Sequence, residues 1–408
     1  MRISPSITRL TGGCLLGLGA AAAQAGGFQI QDQSTRAMGM ADAFVASADD
    51  ASAVYYNPAG LTRLAAPQVI GNAYFAHANV HYSGDGRAQG YSENSDGRYY
   101  GVPNFYAATP FKPIPGMALG LGVYSPFGLG SRWHDDGYVS NWSTLGEIGL
   151  YNINPTVAYQ VTDRLSLAVG ADYYTSRAIN RRIDRVGMPA LGVPPMGEVD
   201  LDVDGDGWGW NTGAQYKLTD TVNLGLTFRS PVVVDYDGTV KVEGWDKSYD
   251  ASTNMNYPAI CGAGISWQAT ERWRWELTTE CTLWSTMDEQ AVATSSPLGT
   301  ITTPMQWNDS WVCMLGTEYQ LTEKWTLRGG YAYSEMPTPA EYATPSTPPG
   351  YMNVVAAGVG YQLTKALRLD TAILVGYAGK QTIDNAYAPQ GTYDSYTYGL
   401  SFGATYTF

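Results

Sequence analysis

The sequence predicts an all-β fold: a 14-stranded antiparallel transmembrane β-barrel whose lumen is plugged by an N-terminal, partly helical hatch. Three observations carry that prediction. The first is composition. Only 15% of the 408 residues are charged, while 47 are Gly and 30 are Tyr. The charge is well under the roughly 25% usual for soluble domains; disordered chains have few aromatics and coiled coils are roughly half A/E/K/L/R, so both of those classes are excluded and a large β protein is suggested. The second is strict alternation. Tyr396, Tyr398, Leu400, Phe402, Ala404, Tyr406 and Phe408 interleave with Thr397, Gly399, Ser401, Gly403, Thr405 and Thr407, the period-two pattern of a strand with unlike faces. The third is the rhythm of the connections, in which short polar turns alternate with long Gly/Pro/Asp-rich stretches, as in outer-membrane barrels.

Residues 1–25 read as an export signal. Arg2 and Arg9 are positive, Cys14 to Ala23 are apolar, and Ala23-Gln24-Ala25 is a small-x-small cleavage site. No later segment holds the roughly 18 uninterrupted apolar residues of a spanning helix, which leaves only strands to cross a membrane. Residues 26–66 differ in texture. Ser34 to Ala48 is rich in Ala, Met and Gly with little alternation, and Asn57-Pro58-Ala59-Gly60 is a turn by its own chemistry. About forty residues are too few to fold alone, so this segment belongs inside the barrel as a plug.

Residues 67–408 form the barrel. Five turns repeat one theme, at Thr162-Asp163, Thr219-Asp220, Thr270-Glu271, Thr322-Glu323 and Thr364-Lys365, and Pro110 to Pro115 makes a sixth. Long connections fall near 83–97, 128–144, 183–204, 244–253, 287–305, 336–349 and 383–393. Together they join an even number of strands between Gln68 and Phe408. The inner face is polar: Arg274, Glu276, Thr278 and Glu280 alternate with Trp273, Trp275, Leu277 and Thr279. A soluble barrel would bury the second set; a membrane barrel turns it to lipid.

The chemistry-bearing residues argue against an enzyme. The chain has three His; His77 and His81 share a strand face roughly 13 Å apart, too far for one dyad or one metal, and no GxSxG or HExxH occurs. An outer-membrane hydrolase is thus the remote alternative, and neither metal nor cofactor is expected. A non-specific water-filled porin is the nearer alternative, opposed by the plug-like segment. The net charge of −13 argues against a nucleic-acid partner, and none is expected. Asp200, Asp202, Asp204 and Asp206 share one strand face and read as a solvated rim rather than a calcium loop. Parity turns Cys261, Cys281 and Cys313 outward; Cys261 and Cys281 lie equally far from the turn at Thr270-Glu271, which leaves a cross-strand pair open.

Several motifs resemble one family. Gly27-Phe28-Gln29-Ile30, then Ala48-Asp49-Asp50-Ala51-Ser52 and Tyr55-Tyr56-Asn57-Pro58-Ala59-Gly60-Leu61, look like the hatch of the FadL/TodX outer-membrane transporters. Val102-Pro103-Asn104, Tyr124-Ser125-Pro126-Phe127-Gly128-Leu129, Asn152-Ile153-Asn154-Pro155, Gly207-Trp208-Gly209-Trp210-Asn211, Phe228-Arg229-Ser230 and Trp325-Thr326-Leu327-Arg328-Gly329-Gly330-Tyr331 extend the resemblance over the chain after the signal. Pro348-Pro349-Gly350-Tyr351-Met352 departs from the family pattern. The resemblance implies a barrel of the Gram-negative outer membrane that passes long-chain fatty acids or monoaromatic hydrocarbons by passive diffusion, with lateral exit at a kinked strand. Its implied partners are the hydrophobic ligand, outer-membrane lipid and lipopolysaccharide, and the barrel assembly machinery; it is expected to act as a monomer.

Pro103 and Asn104 are the expected site of that exit. Pro103 interrupts an alternating run, and a Pro cannot donate to a ladder, so a bulge is expected there. The hatch motif is Asn57, Pro58 and Ala59. Phe28, Phe44, Phe105, Phe127 and Trp133 are the aromatic candidates for an apolar ligand pocket. For a carboxylate, Arg177 matches a family position, although strict alternation from Leu165 turns it outward. Arg229 and Arg328 face the lumen by parity, as do Arg274 and Arg368, with pairing to Glu276, Glu280, Asp370 or the hatch acids Asp42, Asp49 and Asp50 as the competing role.

Overall fold

A computed structural model describes residues 27–184, 195 and 197–408; the segment 1–25, read above as an export signal, lies outside them. Fourteen antiparallel strands close into a ring. In chain order they are β1 (Gln68–Gly84), β2 (Tyr99–Pro110), β3 (Met117–Tyr124 and Gly128–Arg132), β4 (Leu145–Gln160), β5 (Leu165–Asp184) and β6 (Gly197–Lys217). There follow β7 (Val222–Arg229 and Val232–Val242), β8 (Tyr249–Tyr257 and Ile260–Thr270), β9 (Trp273–Thr282 and Glu289–Thr294) and β10 (Thr300–Pro304 and Ser310–Gln320). The last four are β11 (Trp325–Glu335), β12 (Tyr351–Gln362), β13 (Leu367–Ile383) and β14 (Gly391–Thr407). Closure is made by β1 against β14, in continuous register from Gln68↔Thr407 to Gly84↔Gly391.

The tight turns share one device. In each of four turns the hydroxyl of Thr162, Thr219, Thr322 or Thr364 accepts from two following backbone N–H groups, while the residue before it bonds across the turn, as in Leu321 N to Trp325 O at 2.9 Å. Such side-chain turns satisfy the backbone groups that the ladder leaves over. The opposite ends are longer strands than expected: Glu289–Thr294 and Thr300–Pro304 pair within the stretch anticipated as one loop.

Alternation holds along whole strands, yet its chemistry inverts with height. On β6 the outward residues run Asp200, Asp202, Asp204, Asp206, Trp208, Trp210, and the inward ones begin Val199, Leu201, Val203 and end Asn211, Gly213, Gln215. Trp208 is 69% exposed, as lipid contact requires. The switch from Asp206 to Trp208 marks where the wall leaves water for hydrocarbon. The aspartates belong to this outer rim: Arg177 pairs with Asp202 and Arg181 with Asp200. Cys261 and Cys281 stand opposite one another in register, with free thiols.

The segment from residue 27 to 66 lies within the ring. It has two single-turn helices, α1 (Thr35–Met38) and α2 (Ala53–Tyr56), and a 3-10 turn over Pro58–Arg63. The wall admits it through glycines. A Cβ on Gly330 would overlap the Met40 backbone, and one on Gly213 would overlap Asn57. Asn57 Nδ2 donates to Val45 O (2.9 Å) within the hatch and to Ala214 O (3.0 Å) in the wall. Glu276 accepts from two successive hatch amides, Ala46 N (2.7 Å) and Ser47 N (3.0 Å).

Candidate functional site

Among the described residues, the wall has an opening between β2 and β3. The β2–β3 ladder runs from Pro110↔Ala118 only to Phe105↔Val123. Beyond it, Tyr99 to Asn104 stay paired with β1, while Gly128–Arg132 of β3 pair only with β4. The two strands part because β3 carries a bulge. Ser125, Pro126 and Phe127 lie opposite just two β4 residues, between Tyr124↔Asn152 and Gly128↔Gly149.

The bulge is therefore one strand later than the sequence suggested. Pro103 sits in unbroken register opposite Ala73. Its role is passive. Phe111 N–H bonds Met117 O across to β3, so by alternation residues 109, 107, 105 and 103 also aim their backbone groups at β3. Pro103 lacks a donor just where β3 has departed. The opening supplies the local edge on which a proline is tolerated.

The hatch holds the bulge in place. Ile30 N donates to Pro126 O (2.9 Å), Gly128 N to Phe28 O (3.0 Å), and Gln33 Nε2 to Ser125 O (2.7 Å). Beside these contacts lies a cavity of about 130 Å³, lined by Ile30, Tyr100, Val102, Phe127, Leu150 and Tyr151 among others. It adjoins an aromatic box. The Phe28 ring sits among Trp284 (4.6 Å between centroids), Trp307 (5.7 Å), Tyr257 (5.9 Å) and Phe127 (6.0 Å). Phe127, Ile148 and Leu150 belong to both the cavity lining and the apolar cluster around Phe28.

Below this apolar part the lumen is charged. Glu318 of β10 takes Arg274 (2.7 Å), Arg328 (2.7 Å) and hatch Arg36 (3.2 Å). Arg36 also holds Asp49 (2.6 Å) and Asp50 (3.0 Å), and Asp370 joins Arg328 and Arg368, both at 2.8 Å. Burial alone would raise the Asp49 carboxyl, but Arg36 and Arg274 outweigh it and hold it at about 2. Higher in the hatch, Asp32 and Asp42 face each other. Burial pushes Asp32 up to about 6 despite its hydrogen bond with Asp42, and burial with Asp32 as neighbour drives Asp42 well above the carboxylate range. Tyr56 donates its hydroxyl to Asp42 at 2.6 Å.

These positions sort the sequence candidates. Phe28 and Phe127 meet in the box. Phe44 packs inside the hatch against Tyr56. Phe105 is 48% exposed on the lipid face, because odd residues of β2 point outward. Trp133 belongs to a separate cluster under the outer loops with Tyr82, Val139 and Tyr393. Arg177 faces outward to Asp202, as alternation required and the family position did not. Arg328 is part of the charged floor. Arg229 is buried, pairs with Asp172, and lines a cavity of about 30 Å³ with Gln31, Tyr55 and Glu280. Sequence reasoning missed Trp284, Trp307 and Tyr257, which lie far apart in the chain. It also passed over Pro126, which carries the same strand-breaking signal as Pro103.

Comparison with known proteins gives concordant results. The family model for outer membrane protein transport protein (OMPP1/FadL/TodX) matches residues 16–408. A long-chain fatty acid transport protein of Escherichia coli O6:H1 is 24% identical over 381 residues, covering 84% of this chain and 85% of its own length. Outer membrane protein P1 of Haemophilus influenzae is 25% identical over 408 residues, covering 88% and 87%. Among solved structures, a Pseudomonas aeruginosa FadL homologue superposes with a TM-score of 0.81 at 20% identity, covering 95% of this chain and 100% of that one. The Ralstonia pickettii toluene transporter TbuX superposes with a TM-score of 0.71 at 18% identity, covering 91% and 98%.

Proposed function

The chain belongs to the OMPP1/FadL/TodX family of outer membrane transport proteins, and from that premise we propose that it passes hydrophobic small molecules, fatty acids or monoaromatic hydrocarbons, down their gradient and out through the side of the barrel. The observation that carries this reading is the apolar continuity from the Phe28 box to the cavity at the β2–β3 opening, above a lumen floor filled by hatch and ion pairs. A route straight down would have to break that floor, where each buried charge is costly to unpair. The same filled floor supports a plugged transporter over a water-filled porin. A cavity of about 130 Å³ is near the roughly 150 Å³ that accepts one benzene ring in an apolar protein interior, so a single ring or one stretch of acyl chain fits at a time.

In this reading Phe28 is the gate. Its ring fills the box until ligand displaces it, and Asn57, Pro58 and Ala59 keep the rest of the hatch docked. Pro103 and Asn104 frame the exit without causing it. The ligand passes into outer-membrane lipid, and each barrel works alone because it carries its own hatch and its own opening. The test is uptake of radiolabelled toluene and oleate by cells whose only hydrophobic channel is this protein. Gly149 lines the opening and has free space where a Cβ would stand, so Gly149→Trp should cover the passage and cut uptake with the barrel intact. Full uptake in that variant would overturn the lateral route; no uptake of either probe by the unaltered protein would overturn transport itself.

A further inference from the structure

We infer that Arg229 is not a ligand anchor but a positioning residue that, through Asp172 and Tyr124, sets the wall opening and ties it to the hatch. The inference deepens the lateral-exit reading and rests on it. Tyr124 is the last paired residue before the Ser125–Phe127 bulge, so whatever fixes its side chain fixes the foot of the opening. What fixes it is a buried polar lattice spanning five strands. Tyr124 donates its hydroxyl to Asn154 Oδ1 (2.9 Å) and accepts from Asn152 Nδ2 (3.0 Å). Asn152 Nδ2 also donates to Asp172 Oδ1 (2.6 Å). Asn211 Nδ2 donates to Asn154 Oδ1 (2.9 Å) and to Asp172 Oδ1 (3.3 Å). Arg229 donates to that same oxygen. Three side chains from β4, β6 and β7 thus converge on one carboxylate oxygen of β5.

The lattice also touches the hatch. The Arg229 guanidinium lies over the rings of hatch Tyr55 (5.5 Å) and of Tyr124 (5.6 Å). Those two rings meet edge to face at 5.2 Å between centroids. Tyr55 belongs to the same short helix as Tyr56, whose hydroxyl receives Gln33 N at 3.1 Å, and Gln33 in turn holds Ser125 O. One face of the bulge is therefore read by Gln33 and the other, through Tyr124, by Arg229, and both report to α2. A cation over two rings is held by geometry as well as charge, and a buried polar network in which each group fixes the next allows few alternative arrangements. A displacement of α2 would have to move Tyr124, and with it the opening. Arg229 has no such place in the charged floor, where Arg36, Arg274, Arg328 and Arg368 share their own carboxylates.

The experiment compares three forms. Tyr124→Phe keeps the ring and cuts the hydroxyl link. The double variant Asp172→Asn with Arg229→Met removes both charges, leaving no orphaned ion, and breaks the lattice at its centre. The third form combines all three changes. Toluene uptake at limiting concentration should fall about fivefold or more in each form, the low end of a typical coupling between sites. The combined form should be no worse than the worst of the others, because both interventions sever one path. The temperature at which the folded band disappears in heated-gel analysis should stay within a few degrees of the unaltered protein in Tyr124→Phe. Additive losses of uptake, or undiminished uptake in the double variant, would overturn the inference while leaving lateral transport standing. Loss of the folded band in the double variant with normal uptake in folded Tyr124→Phe would also overturn it, by making the lattice purely structural. An unaltered protein that takes up no toluene or oleate would instead remove the reading on which the inference rests.

Discussion

The lower lumen is charged where β9, β10, β11 and β13 line it, and the upper lumen is apolar where β6 and β7 line it. At the lower end Glu318, Arg274, Arg328, Arg368 and Asp370 point inward and lock onto Arg36, Asp49 and Asp50 of the hatch. At the upper end Val199, Leu201, Val203, Val234 and Val240 point inward into the apolar cluster that contains Phe28, while Phe28 itself is held by one backbone hydrogen bond from Gly128 N and by the rings of Phe127, Tyr257, Trp284 and Trp307. The difference teaches how one forty-residue segment, a plug at its lower end, could serve at its upper end as the gate proposed above. Ion pairs buried with good geometry lose much when any partner leaves. Apolar contacts are non-directional and can be exchanged for a ligand of similar surface. The lower hatch is thus fixed, and the upper hatch is held only by contacts of the exchangeable kind, as the proposed gating requires.

The largest test breaks the fixed end. Glu318→Ala leaves three guanidiniums crowded in the floor without their shared carboxylate. It should cost about 3–5 kcal/mol, read as a lower denaturant midpoint for the folded band and as new protease cleavage between residues 36 and 50. A change confined to the upper hatch would contradict a fixed lower end.

The second test sharpens the contrast with pH. Asp49 sits below its unfolded value, so its contribution is present above about pH 4 and is lost as pH falls through about 2. Asp32 sits above its unfolded value, so its contribution is complete below about pH 4 and is lost as pH rises through about 6. Hydrogen exchange of the purified barrel should therefore move in opposite senses. Amides of residues 30–34 should exchange faster at pH 7 than at pH 4 after correction for intrinsic rates, and amides of 48–52 should loosen only near pH 2. Parallel behaviour of the two segments would show that the hatch moves as one body.

The smallest effect is expected outside both regions. Thr322→Ala removes one hydroxyl that accepts from Lys324 N and Trp325 N. The cost should be about 1 kcal/mol in the unfolding midpoint, with uptake unchanged. A change in uptake from a turn so far from the opening would mean that the two ends of the lumen are coupled through the wall.

Much of the barrel was legible because a membrane imposes alternation on every residue that crosses it. Trp273, Arg274, Trp275 and Glu276 alone assign two faces, and the threonine turns mark the strand ends. Parity even placed Arg177 outward against the family position. The hatch was legible from its lack of alternation and from Asn57-Pro58-Ala59. The site was less so. The ring around Phe28 is drawn from residues 127, 257, 284 and 307, whose meeting depends on barrel curvature that no local pattern encodes. Two strand prolines, Pro103 and Pro126, carry the same local signal. What separates them is whether the neighbouring strand is still present, a property of pairing rather than of sequence. Arg229, Arg274 and Arg328 look alike in parity, and only the positions of Asp172 and Glu318 divide them.

The seam of the ring has a consequence for the order of events during assembly. Thr35 of the hatch shares its hydroxyl with Asn72 of β1 (3.0 Å) and Ser401 of β14 (2.7 Å), so it touches both sides of the joint where the ring closes. The hatch emerges before any strand, yet its final contacts do not exist until the last strand arrives. The seating of the hatch is therefore complete only when the ring is, because one hydroxyl of the plug bridges the two ends of the sheet.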